Sequence, residues 1–307
     1  MKAIYYTEHG GPDVLRYGDL DEPAVGALEV KVEVRAASLN HIDLFLRRGL
    51  PGIEVPFPHI PGCDATLCVE YKLVGEMTQG TCCERIVIPA RNAIPFPDSM
   101  SFEEAASLSM VFVTAWRMLI TRARLRAGED VLVLGASAGV GVACIQIAKV
   151  AGARVFAAAG SAEKLALCEK LGSDVLINYK EEDFARRVRA ETLKRGVDVV
   201  VDYVGRDTWA QSLKALSRGG RLVTCGATTG YDAQTDLRHV FFRQLEIIGS
   251  TMGSRSELMA ALGLVFAGRM KPVIGGVYAL ADTAKAHAAM ENRETLGKVV
   301  IRVGAGN

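Results

Sequence analysis

The sequence predicts an α/β protein whose larger part is a doubly wound parallel sheet, attached to a smaller β-rich part. Three observations predict it. From Asp130 the chain alternates short apolar runs with amphipathic stretches until six strands have been laid down. A glycine-rich turn, GASAGVG (Gly135 to Gly141), stands at the first strand-to-helix junction. The first ninety residues instead carry short strand-like runs broken by turns. Near-continuous apolar strands separated by amphipathic helices are what a parallel sheet covered on both faces requires.

In the N-terminal part, LEVKVEVRAAS alternates apolar and polar residues, as a half-buried strand does. PGIEVPFPHIPGCD is too rich in Pro and Gly for a helix and reads as loops at a barrel rim. RIVIPARNAIPF is a short strand followed by a turn, and SFEEAASLSMVFVTAWRML is a helix. Ser101 caps that helix, with Glu104 three residues on completing a capping box.

The strands of the sheet are DVLVLGA, RVFAAAG, VLINY, VDVVVDYVG, RLVTCGAT and LEIIGST. The helices between them are VGVACIQIAKVAG, AEKLALCEKLG, DFARRVRAETLK and TWAQSLKALSRGG. After a further helix, SELMAALGLVFAGRM, the tail PVIGGVYALADTAKAHAAMENRETLGKVVIRV reads strand, helix, strand. It either extends the sheet or returns to complete the first part. With 307 residues the chain is long for one hydrophobic core, and two domains are expected.

Charge and cysteine usage exclude some function classes. Lys and Arg number 36 and Asp and Glu 35, without runs of one sign, so neither nucleic acid nor an anionic membrane is an expected partner. The N-terminus lacks the apolar core of a signal peptide, and no apolar run reaches about 18 residues. Seven cysteines without a disulfide-framework spacing favour a reducing compartment, and a cytoplasmic location is expected.

The turn GASAGVG lies where a phosphate-binding turn belongs, opening the helix after the first strand. Backbone N–H groups of Ser137, Gly139, Val140 and Gly141 at that helix N-terminus can cradle a pyrophosphate. The match to G-x-G-x-x-G is imperfect, since Ala136 and Ala138 stand at its first two glycines. An NAD site wants an acidic side chain at the end of the second strand, for the ribose 2′-hydroxyl. Here that strand ends in Gly160 and Ser161, with Lys164 one turn further and Tyr179 ending the third strand. Ser161 can hydrogen-bond a 2′-phosphate and Lys164 can neutralise it, which favours NADP(H) over NAD(H).

These features, together with MKAIYYTEHGGPDVL, AASLNHIDLFLRRG, PHIPGCD, FEEAASL, TAW, GSAEK, INY and the terminal GKVV, run through the whole chain in order. With them the sequence resembles the medium-chain dehydrogenase/reductase superfamily, specifically its quinone-oxidoreductase (zeta-crystallin-like) and zinc-type alcohol dehydrogenase-like members. The resemblance implies a Rossmann domain (residues 111–271) inserted in a GroES-like β-barrel domain (1–110 plus 272–307), with GKVVIRV as a returning barrel strand. It implies hydride transfer from NADPH to a quinone, enone or carbonyl in a cleft between the domains. By position, Asn40 and Thr114 are expected at the nicotinamide end and Asp43 is the family's cleft aspartate, structural or orienting in role. Gly226, Ala227 and Thr228 end the fifth strand, where backbone contacts to cofactor are usual. An enoyl-thioester or carbonyl reductase of the same superfamily, or an NADPH-binding protein with little catalysis, is the alternative. LEIIGSTMG is the edge strand that relatives pair across a two-fold axis, which implies a homodimer.

Two departures stand out. Zinc members hold their metal with ligands whose positions here carry Asn40, Cys63 and Met110, a poor zinc set, so no metal is expected. His41 and His59 stand off those positions and read as surface or loop histidines. After Glu70 the chain passes directly to a segment that relatives place beyond the zinc lobe, so tens of residues are missing near Glu70–Tyr71. The barrel is therefore truncated: it closes with fewer strands or leaves an edge open. Cys63, Cys68, Cys82 and Cys83 cluster at this seam and read as free thiols, with Cys82 and Cys83 opening a strand on opposite faces.

Overall fold

The computed structural model describes residues 1–64, 74–76 and 78–304. The expected seam at Glu70–Tyr71, and Cys68, lie outside the described residues. The chain forms two compact units. The first comprises Met1–Val111, Gly253–Phe266 and Lys271–Asn307, and the second Phe112–Met252 and Ala267–Met270.

The first unit opens with β1 (Lys2–Tyr5) and β2 (Arg16–Asp19), paired antiparallel. β3 (Glu29–Glu33) exposes its glutamates and Lys31 and half-buries Val30 and Val32, as its alternation predicts. β4 (Ala36–Leu39) is buried throughout and runs into α1 (His41–Arg48). β5 (Arg85–Pro89) pairs antiparallel with β3, bringing Val32 opposite Ile86. α2 (Phe102–Ala106) starts on the expected capping box. Ser101 Oγ accepts from Glu104 N at 3.2 Å, and Glu104 Oε2 accepts from Ser101 N at 2.9 Å. The single helix expected over 101–119 is broken at Ser107 and Leu108. It resumes as α3 (Ser109–Trp116) and then widens into a π-helical stretch, Arg117–Arg122.

The second unit holds six parallel strands. β6 (Asp130–Leu134) is buried at every position and is followed by α4 (Gly139–Val150). Then come β7 (Arg154–Ala159), α5 (Ala162–Lys170), β8 (Val175–Asn178), α6 (Phe184–Glu191) and β9 (Val197–Val201). α7 (Trp209–Ala215) ends earlier than expected, because β10 (Leu216–Thr224) takes Leu216 to Gly220 into the sheet. The register with β9 shifts between Leu216 and Arg221, and that irregularity accommodates polar, glycine-rich residues within a strand. α8 (Leu237–Arg243), which the sequence reading left out, precedes β11 (Glu246–Gly249). The sheet order is β11-β10-β9-β6-β7-β8. Reading outward from β6, the chain winds first to one side and then to the other, which is the doubly wound topology. Leu132, Leu134, Phe156, Ile177, Val200 and Leu222 fill one face with almost no exposure.

The chain then returns to the first unit through α9 (Arg255–Phe266), β12 (Ile274–Ala279), α10 (Thr283–Glu291) and β13 (Lys298–Arg302). β13 lies between β12, parallel, and β4, antiparallel, with Val299 opposite Leu39. The last strand therefore pairs with an N-terminal one, the return expected of GKVVIRV. The core of this unit gathers Ile4, Leu39, Ile60, Ile86, Ile88, Val299 and Ile301 with the thiols of Cys82 and Cys83. No helix among the described residues is long and apolar enough to cross a membrane.

Candidate active site

In a doubly wound sheet the loops that follow the strands' carboxyl ends open a crevice where the winding reverses, here between β6 and β9. The turn after β6 is held by Tyr203, whose hydroxyl donates to Gly135 O at 2.8 Å. Ala138 is the N-cap of α4 without a side-chain cap, and its N–H donates to Gly135 O at 2.9 Å, closing the turn that launches the helix. At Gly141 a Cβ would lie 2.6 Å from the carbonyl oxygens of Gly135 and Ala136. Only glycine lets the helix start this close to the turn, and the N–H groups of Gly139, Val140 and Gly141 stay in its first turn. Ser137, in the turn itself, is buried.

The second subsite lies at the ends of β7 and β8. Ser161 is the N-cap of α5, its hydroxyl accepting from Lys164 N at 3.4 Å. A Cβ on Gly160 would lie 2.8 Å from the Tyr179 hydroxyl and 3.2 Å from Cε of Lys180. Gly160 and Tyr179, nineteen residues apart, are thus brought together, with the Lys180 side chain beside them. Asn178 Oδ1 accepts from Lys180 N at 3.2 Å and shapes the strand end. Sequence reasoning missed Lys180, although its position directly after Tyr179 was the available signal. Gly226, Ala227 and Thr228 follow β10, and Thr228 N donates to Tyr203 O at 3.2 Å.

Asn40, Asp43 and Cys63 belong to the first unit and Thr114 to the second. Asn40 is the N-cap of α1, and Asp43 Oδ2 accepts from Asn40 N at 2.7 Å. Asp43 Oδ1 accepts from Gly62 N at 2.9 Å and from the Cys63 thiol at 3.1 Å. Burial pushes the Asp43 carboxyl up to about 6, although its three donors favour the charged form. Its contacts are those of a group that ties α1 to the Gly62–Cys63 turn.

Beside it lies a polar network that the sequence reading did not assign. The ammonium of Lys298, 3% exposed, donates to Leu39 O at 2.9 Å, Asn40 Oδ1 at 2.6 Å and Asp64 Oδ2 at 2.8 Å. Asp64, fully buried, also accepts from Ser38 Oγ (3.1 Å), Asn40 Nδ2 (2.9 Å) and Met110 N (2.9 Å). A buried ion pair persists only when its remaining donors and lone pairs are met, and here they are. Both residues sit inside quoted motifs, GCD and GKVV, but nothing in a linear pattern shows that they meet across 234 residues.

His41 is exposed, whereas His59 is completely buried and corrects the surface reading. Its ring packs edge-on to Tyr6 at 5.3 Å and its Nε2 lies 3.0 Å from Gly75 O. Cys63, Cys82 and Cys83 are buried free thiols. Burial pushes Cys83 up to about 12 and Cys82 well above the ordinary thiol range. Ahead of β5, Cys82 lies in a bend and Cys83 forms an isolated antiparallel bridge with Ala3, and both enter the core. No group of three or more His, Cys, Asp or Glu among the described residues is placed to hold a metal ion.

A six-stranded sheet wound in this order, with a glycine turn at its reversal and a β-rich unit made from both chain ends, defines an oxidoreductase fold of the dinucleotide-binding class. The comparisons agree. The family described as zinc-binding dehydrogenase matches residues 139–267. The quinone oxidoreductase of Rattus norvegicus is 31% identical over 98% of this chain and 97% of its own. A crystal structure titled NAD-dependent alcohol dehydrogenase superposes with a TM-score of 0.94 at 39% identity, covering 99% of this chain and 100% of that one. A crotonyl-CoA reductase of Streptomyces avermitilis is 31% identical over 77% of this chain and 58% of its own length. The chain belongs to the medium-chain dehydrogenase/reductase superfamily, with quinone oxidoreductases among its relatives over nearly the full length.

Proposed function

We propose that this chain transfers hydride from NADPH to a quinone or other conjugated carbonyl acceptor, without zinc. The observation that carries the cofactor assignment is the end of β7. No acidic side chain occupies the ribose position, and Gly160, Ser161, Tyr179 and Lys180 gather there instead. On this reading Ser161 and the Tyr179 hydroxyl hydrogen-bond a 2′-phosphate, and Lys164 and Lys180 neutralise it. The glycine turn at α4 suits the pyrophosphate, with Gly226, Ala227 and Thr228 as further backbone contacts. The nicotinamide supplies the hydride when bound. Asn40 and Thr114 are the proposed orienting contacts at that end, and the Lys298–Asp64 network fixes the Asn40 amide by both its oxygen and its nitrogen.

Zinc does not fit the residues at the ligand positions. The Asn40 oxygen is already bonded to an ammonium, which would repel a second cation placed there. Cys63 is a protonated donor to Asp43, and Met110 offers only a thioether. With no metal to polarise the acceptor, proton delivery to the product falls to solvent, and Asp43 acts in positioning.

Turnover of NADPH and NADH against a quinone, an enone, an aldehyde and an enoyl-thioester separates the alternatives. Preference for NADPH and activity on the quinone or enone are expected, with less than 0.1 zinc per chain as a rough bound. Tight NADPH binding without turnover of any of the four would sink the enzyme assignment. Dominant turnover of the thioester would favour the second reading, which the crotonyl-CoA reductase relative supports. β11 is an edge strand with Ile247 42% exposed, and we assign it as the homodimer contact.

A further inference from the structure

Tyr203, the second residue after β9, is bonded to the loops that follow β6 and β10 while standing in the loop that follows β9. Its hydroxyl donates to Gly135 O at 2.8 Å and its carbonyl accepts from Thr228 N at 3.2 Å. Its own loop is anchored by Asp202, fully buried, which accepts from Val204 N (2.9 Å), Gly205 N (3.1 Å), Thr208 Oγ1 (2.9 Å) and Ser212 Oγ (2.7 Å). Thr229 stitches the β9 and β10 loops together. Its hydroxyl donates to Val204 O at 2.8 Å and accepts from Asp207 N at 3.1 Å. The two loops lie so close that a Cβ on Gly205 would be 2.7 Å from Gly230 O. They form one hydrogen-bonded piece, and the Tyr203 side chain reaches from it to the glycine turn.

That turn needs such a hold. Ala136 and Ala138 stand where the dinucleotide motif has its first two glycines, and Ala138 caps α4 with no side-chain bond. Gly135 carries the left-handed step of the turn, with φ at +60°. Its oxygen accepts both from Ala138 N and from the Tyr203 hydroxyl, so the phenol and the helix cap pull on the same carbonyl. The ring closes on the same residue: a Cβ on Gly135 would lie 3.1 Å from the Tyr203 oxygen. Tyr203 is only 8% exposed, so this bond is sheltered from water. A loop held in its binding conformation beforehand loses less freedom when the ligand arrives, and affinity rises accordingly.

We infer that Tyr203 is a positioning residue for the dinucleotide: its hydroxyl fixes the glycine turn in the form that receives the pyrophosphate and ties that turn to the β10 loop. The inference rests on the dinucleotide reading given above but not on the choice between NADPH and NADH. It assigns Tyr203 no part in the 2′-phosphate subsite at the ends of β7 and β8.

Tyr203→Phe removes the hydroxyl and keeps the ring. Calorimetric titration of the full chain with NADPH, NADH and adenosine 2′-phosphate, which lacks the pyrophosphate, tests the assignment. The variant should bind the dinucleotides about fivefold more weakly, the effect of one hydrogen bond, and adenosine 2′-phosphate within about twofold of the parent. A readout without ligand accompanies it: amide exchange at Ala138, whose N–H bonds to Gly135 O, should rise by about fivefold while the amides of β8 stay unchanged. If circular dichroism shows that Tyr203→Phe fails to fold, Thr229→Val, which cuts the stitch between the β9 and β10 loops, should show the same selective loss. Dinucleotide binding within about twofold of the parent overturns the proposal. An equal loss for adenosine 2′-phosphate does so too, since it marks a general loosening of the unit, as does unchanged exchange at Ala138. A loss confined to NADPH, with NADH unaffected, would place Tyr203 at the 2′-phosphate and refute it as well. A parent that binds neither dinucleotide refutes the cofactor reading itself, and this inference with it.

Discussion

Replacing Lys298 with Met should destabilise the protein more than any single surface change. Met keeps the length and apolar stem but removes the ammonium, and with it hydrogen bonds to Leu39 O, Asn40 Oδ1 and Asp64 Oδ2. Asp64, with no exposed surface, is left as a buried carboxylate without its counter-charge. Removing one partner of a buried pair costs about 3 to 5 kcal/mol. The lower figure applies here, because Ser38 Oγ, Asn40 Nδ2 and Met110 N still donate to Asp64. About 3 kcal/mol in a domain of this size lowers the melting temperature by roughly 6 to 12 °C. Thermal unfolding followed by far-UV circular dichroism measures it. The double variant Lys298→Met/Asp64→Asn should recover at least about 1 kcal/mol, since it removes the stranded charge as well. If Lys298→Met melts within about 2 °C of the parent, the cost assigned to stranding the Asp64 carboxylate is refuted.

Four further outcomes follow. Lys180→Ala should raise the KM for NADPH by roughly tenfold and leave that for NADH nearly unchanged, since a single cation on a phosphate contributes about 1.4 kcal/mol; equal effects on both cofactors would remove Lys180 from the 2′-phosphate site. Asp43 has a folded pKa of about 6, above its ordinary value, so the folded state binds the extra proton. Its contribution to stability is therefore present at low pH and lost as pH rises from about 4 through 6, and Asp43→Asn should flatten that slope in a stability–pH profile. Ser101→Ala should cost about 1 kcal/mol by opening the capping box of α2, read by chemical denaturation. Ile247→Lys at the exposed edge of β11 should shift the sedimentation coefficient at micromolar concentration from dimer to monomer, and a parent that already sediments as a monomer removes the homodimer.

How much of this was legible beforehand differs between the two units. In the second, strands such as β6 and β7 are buried at nearly every position, and a helix such as α6 buries Phe184, Ala185 and Val188 while exposing Arg186 and Arg187. Local composition alone therefore located them. The exceptions are places where context overrides composition. Ser217, Arg218, Gly219 and Gly220 look like a helix end but join β10 through a register shift, because neighbouring β9 offers an edge to pair with. α8 escaped notice because Leu237, Phe241 and Phe242 are exposed and give no inward-facing stripe.

The fold class, the glycine turn and the want of an acidic residue where β7 ends could be read from the chain alone. Each is a property of residue type at a position along the chain. It took the folded structure to bring Lys298 to Asp64 and Asn40, to set Lys180 beside Gly160 and Tyr179, and to bury His59. Those are contacts between residues far apart in the chain or on converging strand ends. They follow from how the sheets bring such residues together, and local periodicity carries no record of it.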